Sequence, residues 1–149
     1  TKALEHRLEN FFLKKNTLFV NDSKGTNVES TVKAIEAFKN KVVLIAGGEN
    51  KKICNDELIK KINERVGFVY LIGETGTILA EEMDKVGYKK YKNLGTLEKV
   101  LLDIRENIDF EDGQTILFSP ATASFDQFKN FEERGRIFKE LTNKILGEK

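Results

Sequence analysis

The sequence predicts an α/β fold in which helices cover both faces of a mostly parallel sheet. Two observations support this class. Runs that are apolar at nearly every position, such as residues 41–46 (KVVLIA) and 68–72 (FVYLI), are typical of strands buried on both faces. These runs alternate with segments in which apolar residues recur at helical spacing. With right-handed crossovers, this alternation gives a Rossmann-like, doubly wound single domain over residues 1–149.

The first part of the chain predicts an antiparallel hairpin ahead of that sheet. Residues 8–13 and 17–20 are rich in β-prone side chains, and three polar residues separate them. A polar stretch then leads into a predicted helix over residues 29–39, where apolar side chains recur every three residues. Thr26 or Asn27 supplies its N-cap, because either side chain can accept a hydrogen bond from the first helical turn.

The remaining elements alternate to the end of the chain. Ser124 is predicted to cap the last helix, which opens with three phenylalanines at three-residue spacing. Phe128 is predicted to lie in the core, whereas Phe125 or Phe131 is a candidate wall of a pocket. The predicted strands are residues 41–46, 68–72, 88–91 and 115–118, and the predicted helices are residues 56–65, 77–86, 96–108 and 125–146.

Composition argues against several classes of protein. The 25 lysines and arginines nearly balance the 24 acidic residues, so the charge predicts neither a nucleic-acid nor a membrane partner. The apolar runs are too short to span a bilayer. Cys54 is the only cysteine, which fits a reducing, cytoplasmic compartment. His6 is the only histidine; it is predicted to be exposed, and a zinc site is not expected.

Polar or small residues follow three of the predicted strands, at residues 21–27, 47–52 and 119–124. In doubly wound sheets, ligands bind beyond the carboxyl ends of the strands. The three loops are therefore expected to meet at one edge of the sheet and to form a single site.

The first of these loops carries side chains suited to anions. Asp22 can accept a hydrogen bond from a ribose hydroxyl or from a metal-bound water, and Lys24 is a point charge for a carboxylate or a phosphate. Thr26 and Asn27 precede a helix whose N-terminus favours an anion. The alternative is an ordinary polar loop with an N-cap, and this loop considered alone favours that alternative.

The other two loops offer space rather than a known phosphate motif. Gly47 and Gly48 allow a backbone to approach a ligand closely, with Lys51 beside them. The sequence contains neither a Gly-x-x-x-x-Gly-Lys-Ser/Thr loop nor a Gly-x-Gly-x-x-Gly turn that opens a helix. The small residues at 119–124 leave room for a ligand, and Ser124 adds a hydroxyl.

Four segments carry a resemblance to a known family. They are His6-Arg7, NDSKGTN at residues 21–27, the Gly47-Gly48-x-x-Lys turn, and SPATASFDQFKNFEERG at residues 119–135. In order and spacing they resemble the C-terminal domain of the Mur ligases, from about residue 6 to the end of the chain. The segment at residues 21–27 resembles the branch of that family that adds D-glutamate to UDP-N-acetylmuramoyl-L-alanine.

The resemblance implies a three-domain, ATP-dependent ligase of peptidoglycan precursor synthesis, with residues 1–6 at the interdomain junction. The first domain would bind the UDP-linked substrate, and the central domain would carry the P-loop and most of the Mg²⁺ ligands. The implied chemistry is formation of an acyl phosphate on the L-alanine carboxylate, followed by attack of the D-glutamate amine. The isolated domain is expected to be inactive.

The resemblance also implies roles for individual residues. Arg7 and Asp22 hold the adenine nucleotide, with His6 beside them. Lys24 faces the reacting centre as the catalytic residue, and no metal ligand is implied in this domain. The residues implied to shape the D-glutamate pocket are Lys24, Thr26, Lys51, Ser124, Phe125 and Phe131, with Lys51 chosen over Lys52 by its spacing from Gly47-Gly48.

Two other functions stay open from the residues alone. The chain fits a free-standing Rossmann-like module that binds a nucleotide or an acidic metabolite without catalysis. A structural interaction domain with no small-molecule site is a third reading, which the polar residues at three strand ends disfavour.

Overall fold

The computed structural model describes residues 5–49, 54–123 and 127–147. The described residues form six strands and five helices. In chain order these are β1 (Glu9–Lys14), β2 (Thr17–Asn21), α1 (Val28–Glu36), β3 (Lys41–Gly48), α2 (Asp56–Arg65), β4 (Val66–Ile72), α3 (Gly73–Lys85), β5 (Tyr91–Gly95), α4 (Leu97–Asn107), β6 (Gln114–Phe118) and α5 (Phe131–Leu146).

All six strands belong to one sheet in the order β1-β2-β6-β3-β4-β5. Strands β1 and β2 pair antiparallel, and every other pair is parallel. The predicted fold class is therefore confirmed, including the N-terminal hairpin. A turn at Lys15-Asn16 closes that hairpin, with Lys15 in the left-handed region at a φ of 54°.

Both faces of the sheet are covered by helices, which explains why its central strands are apolar at almost every position. Val42, Leu44 and Ala46 of β3 face a core shared with α1, α2 and α3. The intervening Val43 and Ile45 face a second core shared with α4 and α5. Because successive side chains of a strand point to opposite faces, burial on both sides requires a continuous apolar run.

The register brings the ends of β2 and β6 to the same level at the carboxyl edge, and the neighbouring β3 continues a little further, to Gly48. Phe118, the last residue of β6, is opposite Asn21 of β2 on one side and Ile45 of β3 on the other. The loops that follow these three neighbouring strands consequently leave the sheet side by side. This geometry comes from the position of β6, which is last in sequence but lies between β2 and β3.

The predicted strand at residues 88–91 is wrong, and the strand is β5 instead. Its ladder with β4 begins at Tyr91, opposite Val69. Tyr88 lies in the turn after α3, where its buried hydroxyl donates to the Val66 carbonyl at 3.0 Å. Burial raises the pKa of Tyr88 to about 12. The sequence predicted a strand here because aromatic residues are common in strands, whereas Tyr88 attaches the end of α3 to the core.

Two predicted helix starts are also wrong. The last helix begins at Phe131 rather than near residue 125, and its cap is Asn130, whose side chain accepts from the Glu133 amide at 2.8 Å. Ser124 is therefore not the cap, and it lies outside the described residues. Helix α3 begins at Gly73 rather than at residue 77.

Two other local predictions are confirmed. Asn27 caps α1 by accepting from the Ser30 amide at 2.8 Å. Phe128 packs, half-buried, against the core on the α4 and α5 side of the sheet. No helix among the described ranges is both long and apolar enough to cross a membrane.

Candidate functional site

The three loops predicted to meet do so at the carboxyl edge of the sheet. They are called here the β2 loop (residues 22–27), the β3 loop (residues 49–55) and the β6 loop (residues 119–130). The Ala121 amide of the β6 loop donates to the Gly25 carbonyl of the β2 loop at 2.8 Å. The Glu49 amide of the β3 loop donates to the Ala123 carbonyl at 3.1 Å. The β6 loop thus joins the other two.

The paired glycines at the end of β3 make this close packing possible. Gly47 has a φ of 116°, and a Cβ there would lie 2.0 Å from the Ile72 carbonyl oxygen. A Cβ on Gly48 would lie 2.2 Å from Thr122 Oγ1. The sequence associated these glycines with close approach to a ligand; in the structure, the close approach that they allow is to β4 and to the β6 loop.

A cavity of about 270 Å³ opens beside the β2 loop and the first turns of α1. Three of the side chains that line it are cationic and one is a carboxylate, so the cavity favours an anionic ligand with a hydrogen-bonding part. Its lining residues are Arg7, Leu8, Asp22, Lys24, Gly25, Ser30, Lys33 and Ala34.

Asp22 is the carboxylate of this cavity, and the surrounding protein holds it in a fixed orientation. Its Oδ1 accepts from the Leu8 amide at 3.0 Å, and its Oδ2 accepts from the Ser119 hydroxyl at 2.7 Å. Ser119 Oγ also lies 2.8 Å from Thr31 Oγ1 of α1. Burial raises the pKa of the Asp22 carboxyl, against the lowering effect of its hydrogen bonds and of the nearby Arg7 charge.

His6 is buried, so the expectation that it is exposed is wrong. Asn21 Nδ2 donates to His6 Nδ1 at 2.8 Å, which places the ring proton on Nε2, 3.6 Å from Glu5 Oε2. Burial lowers the pKa of His6, and the neutral ring packs edge-on against Phe131. The His6 carbonyl accepts from the Lys24 amide at 2.9 Å. His6 therefore supports the β2 loop and is not one of the cavity-lining side chains.

The backbone that carries Arg7 is strained on both sides. His6 and Leu8 have φ values of 67° and 46°, in the left-handed region that side-chain-bearing residues rarely adopt. Such strain persists only where surrounding contacts impose it, and it concentrates at functional sites. Here it directs the exposed Arg7 side chain to the cavity beside Asp22.

Lys24 connects this cavity to the start of α5. Its side chain lines the cavity, and its Nζ lies 5.8 Å from the centroid of the Phe131 ring, within the range of a cation–π contact. Phe131 is half-buried at the first position of α5, and its carbonyl accepts from the Ser23 hydroxyl at 2.7 Å. Thr26 is half-buried in the same β2 loop. The structure thus brings Arg7, Asp22, Lys24 and Phe131 together.

Three predicted pocket residues, Lys51, Ser124 and Phe125, lie outside the described residues, and their roles stay predictions. The hydrogen bond between Glu49 and Ala123 joins the described parts of the two loops that carry them.

A family model described as "Mur ligase, glutamate ligase domain" matches residues 6–122. The chain belongs to this family. It is 46% identical over 146 residues to the UDP-N-acetylmuramoylalanine--D-glutamate ligase of Fusobacterium nucleatum, a match that covers 97% of the chain and 34% of that protein. It is 39% identical over 147 residues to the ligase of the same name from Caldicellulosiruptor bescii, covering 97% of the chain and 31% of that protein. The chain spans about a third of the length of these relatives.

Solved structures of ligases share the fold. A MurF ligase from Thermotoga maritima in complex with ADP superposes with a TM-score of 0.57 at 19% identity, over 97% of this chain and 33% of that one. A bifunctional folylpolyglutamate synthase/dihydrofolate synthase from Yersinia pestis gives a TM-score of 0.59 at 16% identity, over 93% of this chain and 31% of that one. At these identities the likeness establishes the architecture alone.

Within this Mur ligase domain, sequence reasoning missed two side chains at the site. Arg134 is fully buried and donates to both the β2 and the β6 loop. The signal for it was its place on the apolar stripe of α5, three residues after Phe131 and four before Phe138, where a charged residue is unexpected. Lys33 lines the cavity from α1, and no sequence signal distinguished it from an ordinary surface lysine.

One group of possible metal ligands occurs among the described residues of this Mur ligase domain, and it does not suit Mg²⁺. Glu5, His6 and Glu9 have ligand atoms within 4.8 Å of one another. The Lys139 ammonium lies among them, 2.8 Å from Glu5 Oε2 and 3.1 Å from Glu9 Oε2. A cation is therefore already supplied by the chain, and one ligand is a nitrogen, whereas Mg²⁺ prefers oxygen.

Proposed function

We propose that this chain is the C-terminal domain of the ATP-dependent ligase that adds D-glutamate to UDP-N-acetylmuramoyl-L-alanine, and that it binds D-glutamate and closes over ATP. The observation that carries the proposal is the position of Lys24, which lines the cationic cavity on one side and contacts Phe131 on the other. One lysine therefore adjoins both the proposed nucleotide side and the proposed amino-acid side. We take D-glutamate and UDP-N-acetylmuramoyl-L-alanine as the substrates from the names of the relatives.

The cavity supplies the nucleotide side. Arg7 and Lys33 offer charge to phosphates, and the fixed Asp22 carboxylate offers an acceptor to a ribose hydroxyl. When bound, ATP supplies the phosphoryl group that activates the acceptor carboxylate. The described residues hold no oxygen-rich metal group, and we assign the Mg²⁺ that accompanies ATP mainly to residues outside this chain.

The amino-acid side lies where the three loops meet. A dicarboxylate needs cations and hydrogen-bond donors, which Lys24, Lys51, Thr26 and Ser124 provide in our proposal, with Phe125 and Phe131 as apolar walls. Lys24 is the catalytic residue: its ammonium stabilises negative charge that develops at the reacting carboxyl group. His6 contributes indirectly, because its carbonyl fixes the Lys24 backbone.

The remaining parts of the proposal concern context. The reaction belongs to peptidoglycan precursor synthesis, and so contributes to cell shape and division. We place the enzyme in the cytoplasm, in keeping with the free, exposed Cys54. UDP-N-acetylmuramoyl-L-alanine is bound by the parts of the protein outside this chain, and no nucleic-acid or membrane partner is proposed.

The test is a turnover assay on the full-length protein that contains this chain. Lys24→Ala is expected to reduce D-glutamate-dependent phosphate release by about a hundredfold, a typical effect of removing a group that stabilises a transition state. Lys51→Ala is also expected to reduce it sharply, because a cation for a substrate carboxylate is lost. The matched control is Lys99→Ala, an exposed lysine on α4, which is expected to leave turnover unchanged.

Near-normal turnover of both site variants at saturating D-glutamate would refute the site assignment. A free-standing binding module would give a different result: ADP or ATP would bind, and no phosphate release would depend on D-glutamate in any variant or in the wild type.

A further inference from the structure

Arg134 is the largest fully buried side chain among the residues that the structure describes, and its guanidinium reaches two of the three loops. Nη2 and Nε donate to the carbonyl and the hydroxyl of Ser23 in the β2 loop at 2.6 and 3.0 Å. Nη1 donates to the Thr122 carbonyl of the β6 loop at 3.0 Å. A planar, rigid fork of donors can hold two separate segments at a fixed distance, which a flexible ammonium cannot do equally well.

The β3 loop is also fixed near Arg134, because the strand that precedes it packs on Thr122. The backbone of Gly48, at the end of β3, packs so closely on Thr122 that a Cβ would lie 2.2 Å from Thr122 Oγ1 and 3.5 Å from Arg134 Nη1. Thr122 of the β6 loop therefore contacts both the end of β3 and the Arg134 guanidinium.

The segment held by Arg134 carries the residues assigned to the amino-acid side. Ser23 immediately precedes Lys24, and its hydroxyl also donates to the Phe131 carbonyl at 2.7 Å. Lys24 and Phe131, which are in cation–π contact, are thus tied to one guanidinium through one serine. On the nucleotide side, the Asp22 carboxylate accepts its hydrogen bonds from other residues, the Leu8 amide and the Ser119 hydroxyl.

An apolar side chain is the usual residue on the core-facing stripe of a helix. Arg134 lies on the stripe of α5 that faces the core, and burying a charge is costly compared with burying a hydrophobic side chain of similar size. What an apolar side chain cannot do is donate to the carbonyls of Ser23 and Thr122, which lie in loops and not in a strand ladder. The guanidinium donors therefore satisfy backbone carbonyls of the two loops.

We propose that Arg134 is a positioning residue for the amino-acid substrate, acting through Ser23 and Thr122 to hold Lys24 and Phe131 in place without touching the substrate. This inference rests on the proposed ligase function. It predicts that loss of the Arg134 fork perturbs the amino-acid side more than the nucleotide side, since the Asp22 carboxylate is held by Leu8 and Ser119.

The experiment measures kcat and KM for D-glutamate and for ATP in the full-length protein, together with thermal unfolding. Arg134→Lys keeps the positive charge but loses the planar set of guanidinium donors that bridges the two loops. It is expected to raise the KM for D-glutamate at least about tenfold while the KM for ATP changes by less than about threefold. Arg134→Met removes the charge as well and is expected to show the same selectivity with a larger effect.

Two controls separate positioning from general loss of stability. Ile104→Ala, at a fully buried position in α4 on the same side of the sheet, lowers the unfolding temperature without reaching the loops and is expected to leave both KM values unchanged. Ser119→Ala removes a hydrogen bond to Asp22 and is expected to raise the KM for ATP rather than that for D-glutamate.

A parallel rise of both KM values in Arg134→Lys, or kinetics indistinguishable from those of Ile104→Ala, would overturn the inference. If neither Arg134 variant folds, Ser23→Ala decides, because it removes the shared hydroxyl and keeps the guanidinium; it is expected to raise the KM for D-glutamate selectively, by about threefold. A Ser23→Ala variant that raises both KM values equally overturns the inference.

The wild type separates failure of the inference from failure of the proposed function. A folded wild type without D-glutamate-dependent turnover refutes the proposed function, and the inference with it. An active wild type whose variants raise both KM values equally refutes the inference alone.

Discussion

Asp22, which we propose to bind the nucleotide, carries the buried carboxylate of the cavity. Its carboxyl group is buried, and burial raises its pKa, so the ionised form is less favourable in the folded protein than in the unfolded chain. A carboxylate with this sign destabilises the fold at neutral pH. Its presence is explained if a ligand that donates hydrogen bonds uses it.

We expect Asp22→Asn in the full-length protein to unfold at the same temperature as the wild type, or a few degrees higher, at pH 7. The KM for ATP is expected to rise at least about tenfold, because the acceptor charge is lost. Thermal unfolding and steady-state kinetics check the two parts.

The matched control for that variant is Asp103→Asn. Burial raises the pKa of Asp103, but hydrogen bonds from Tyr70 and Lys92 outweigh it and leave the pKa lowered. This carboxylate stabilises the fold, so Asp103→Asn is expected to lower the unfolding temperature and to leave the KM for ATP unchanged. The same shift in both variants would contradict the assignment of Asp22.

His6 gives a pH dependence of known sign. Because burial lowers its pKa in the folded state, the unfolded chain binds the proton more readily as the pH falls below about 6.5. The stability that the neutral ring contributes is therefore complete above about pH 7 and is lost progressively toward pH 5.5. The Glu5 and Glu9 carboxyls, whose pKa values are lowered, lose their contributions only at more acidic pH.

Replacing His6 by asparagine isolates this effect. An asparagine oxygen can accept from Asn21 Nδ2 as His6 Nδ1 does, but it does not titrate. We expect the unfolding temperature of the wild type to fall by a few degrees more than that of His6→Asn between pH 7 and pH 5.5. Parallel curves for the two proteins would show that the ring is not held neutral.

At the scale of the elements, the site depends on three loops that pack closely on one another, and the contact between the end of β3 and the β6 loop leaves no room for a side chain. This contact is made by Gly48. A Cβ at this position would lie 2.2 Å from Thr122 Oγ1 and 2.6 Å from the Ala123 carbonyl oxygen. The β3 loop can therefore adopt its position only if this residue has no side chain.

We expect Gly48→Ala to lower the free energy of unfolding by about 1–3 kcal/mol, the usual range for overpacking, and to reduce ligation by displacing the β6 loop. Gly113→Ala is the control, because a Cβ at that exposed glycine meets nothing within 4 Å. Denaturant unfolding compares the two. Equal effects would mean that the contact between the loops is not what constrains Gly48.

The sequence was sufficient for elements whose pattern is set by burial on both sides. The central strands and their adjoining loops follow from continuous apolar runs and from the rule that parallel strands end at one edge. Elements set by long-range contacts were not predictable. Tyr88 was predicted to lie in a strand because aromatic residues are common in strands, but its side chain is buried beside α3 instead. The spacing of Phe125 and Phe128 predicted a helical turn ahead of the true cap at Asn130.

The site residues divide in the same way. Asp22 and Lys24 stood out because a dense polar run followed a strand. His6 gave no sign of burial, because its partner Asn21 and the Gly135 backbone that it packs against are distant in sequence. Arg134 was identifiable only as an exception on an apolar stripe, and its partners in two loops required the structure.

At the scale of the whole molecule, the site exists because the chain returns to the middle of the sheet. Strand β6 inserts between β2 and β3, which places the β6 loop in contact with both neighbouring loops. The chain supplies cations and hydroxyls at this edge, but its sequence has no P-loop. In our proposal it forms one side of a catalytic site.

The purified 149-residue chain is accordingly expected to form no ligation product when given ATP, Mg²⁺, D-glutamate and UDP-N-acetylmuramoyl-L-alanine. Without a phosphate-binding loop and metal ligands, the phosphates are not positioned for transfer. Product analysis by mass spectrometry checks this, with the full-length protein as the positive control. Product from the chain alone would show that the site is complete without the rest of the enzyme.

The most direct measurement is a crystal structure of the full-length protein with ADP and D-glutamate bound. We expect ADP in the cavity beside Arg7 and Asp22, and D-glutamate beside Lys24 and Phe131 where the β2, β3 and β6 loops meet. Density for both ligands elsewhere, with Lys24 in contact with neither, would contradict it.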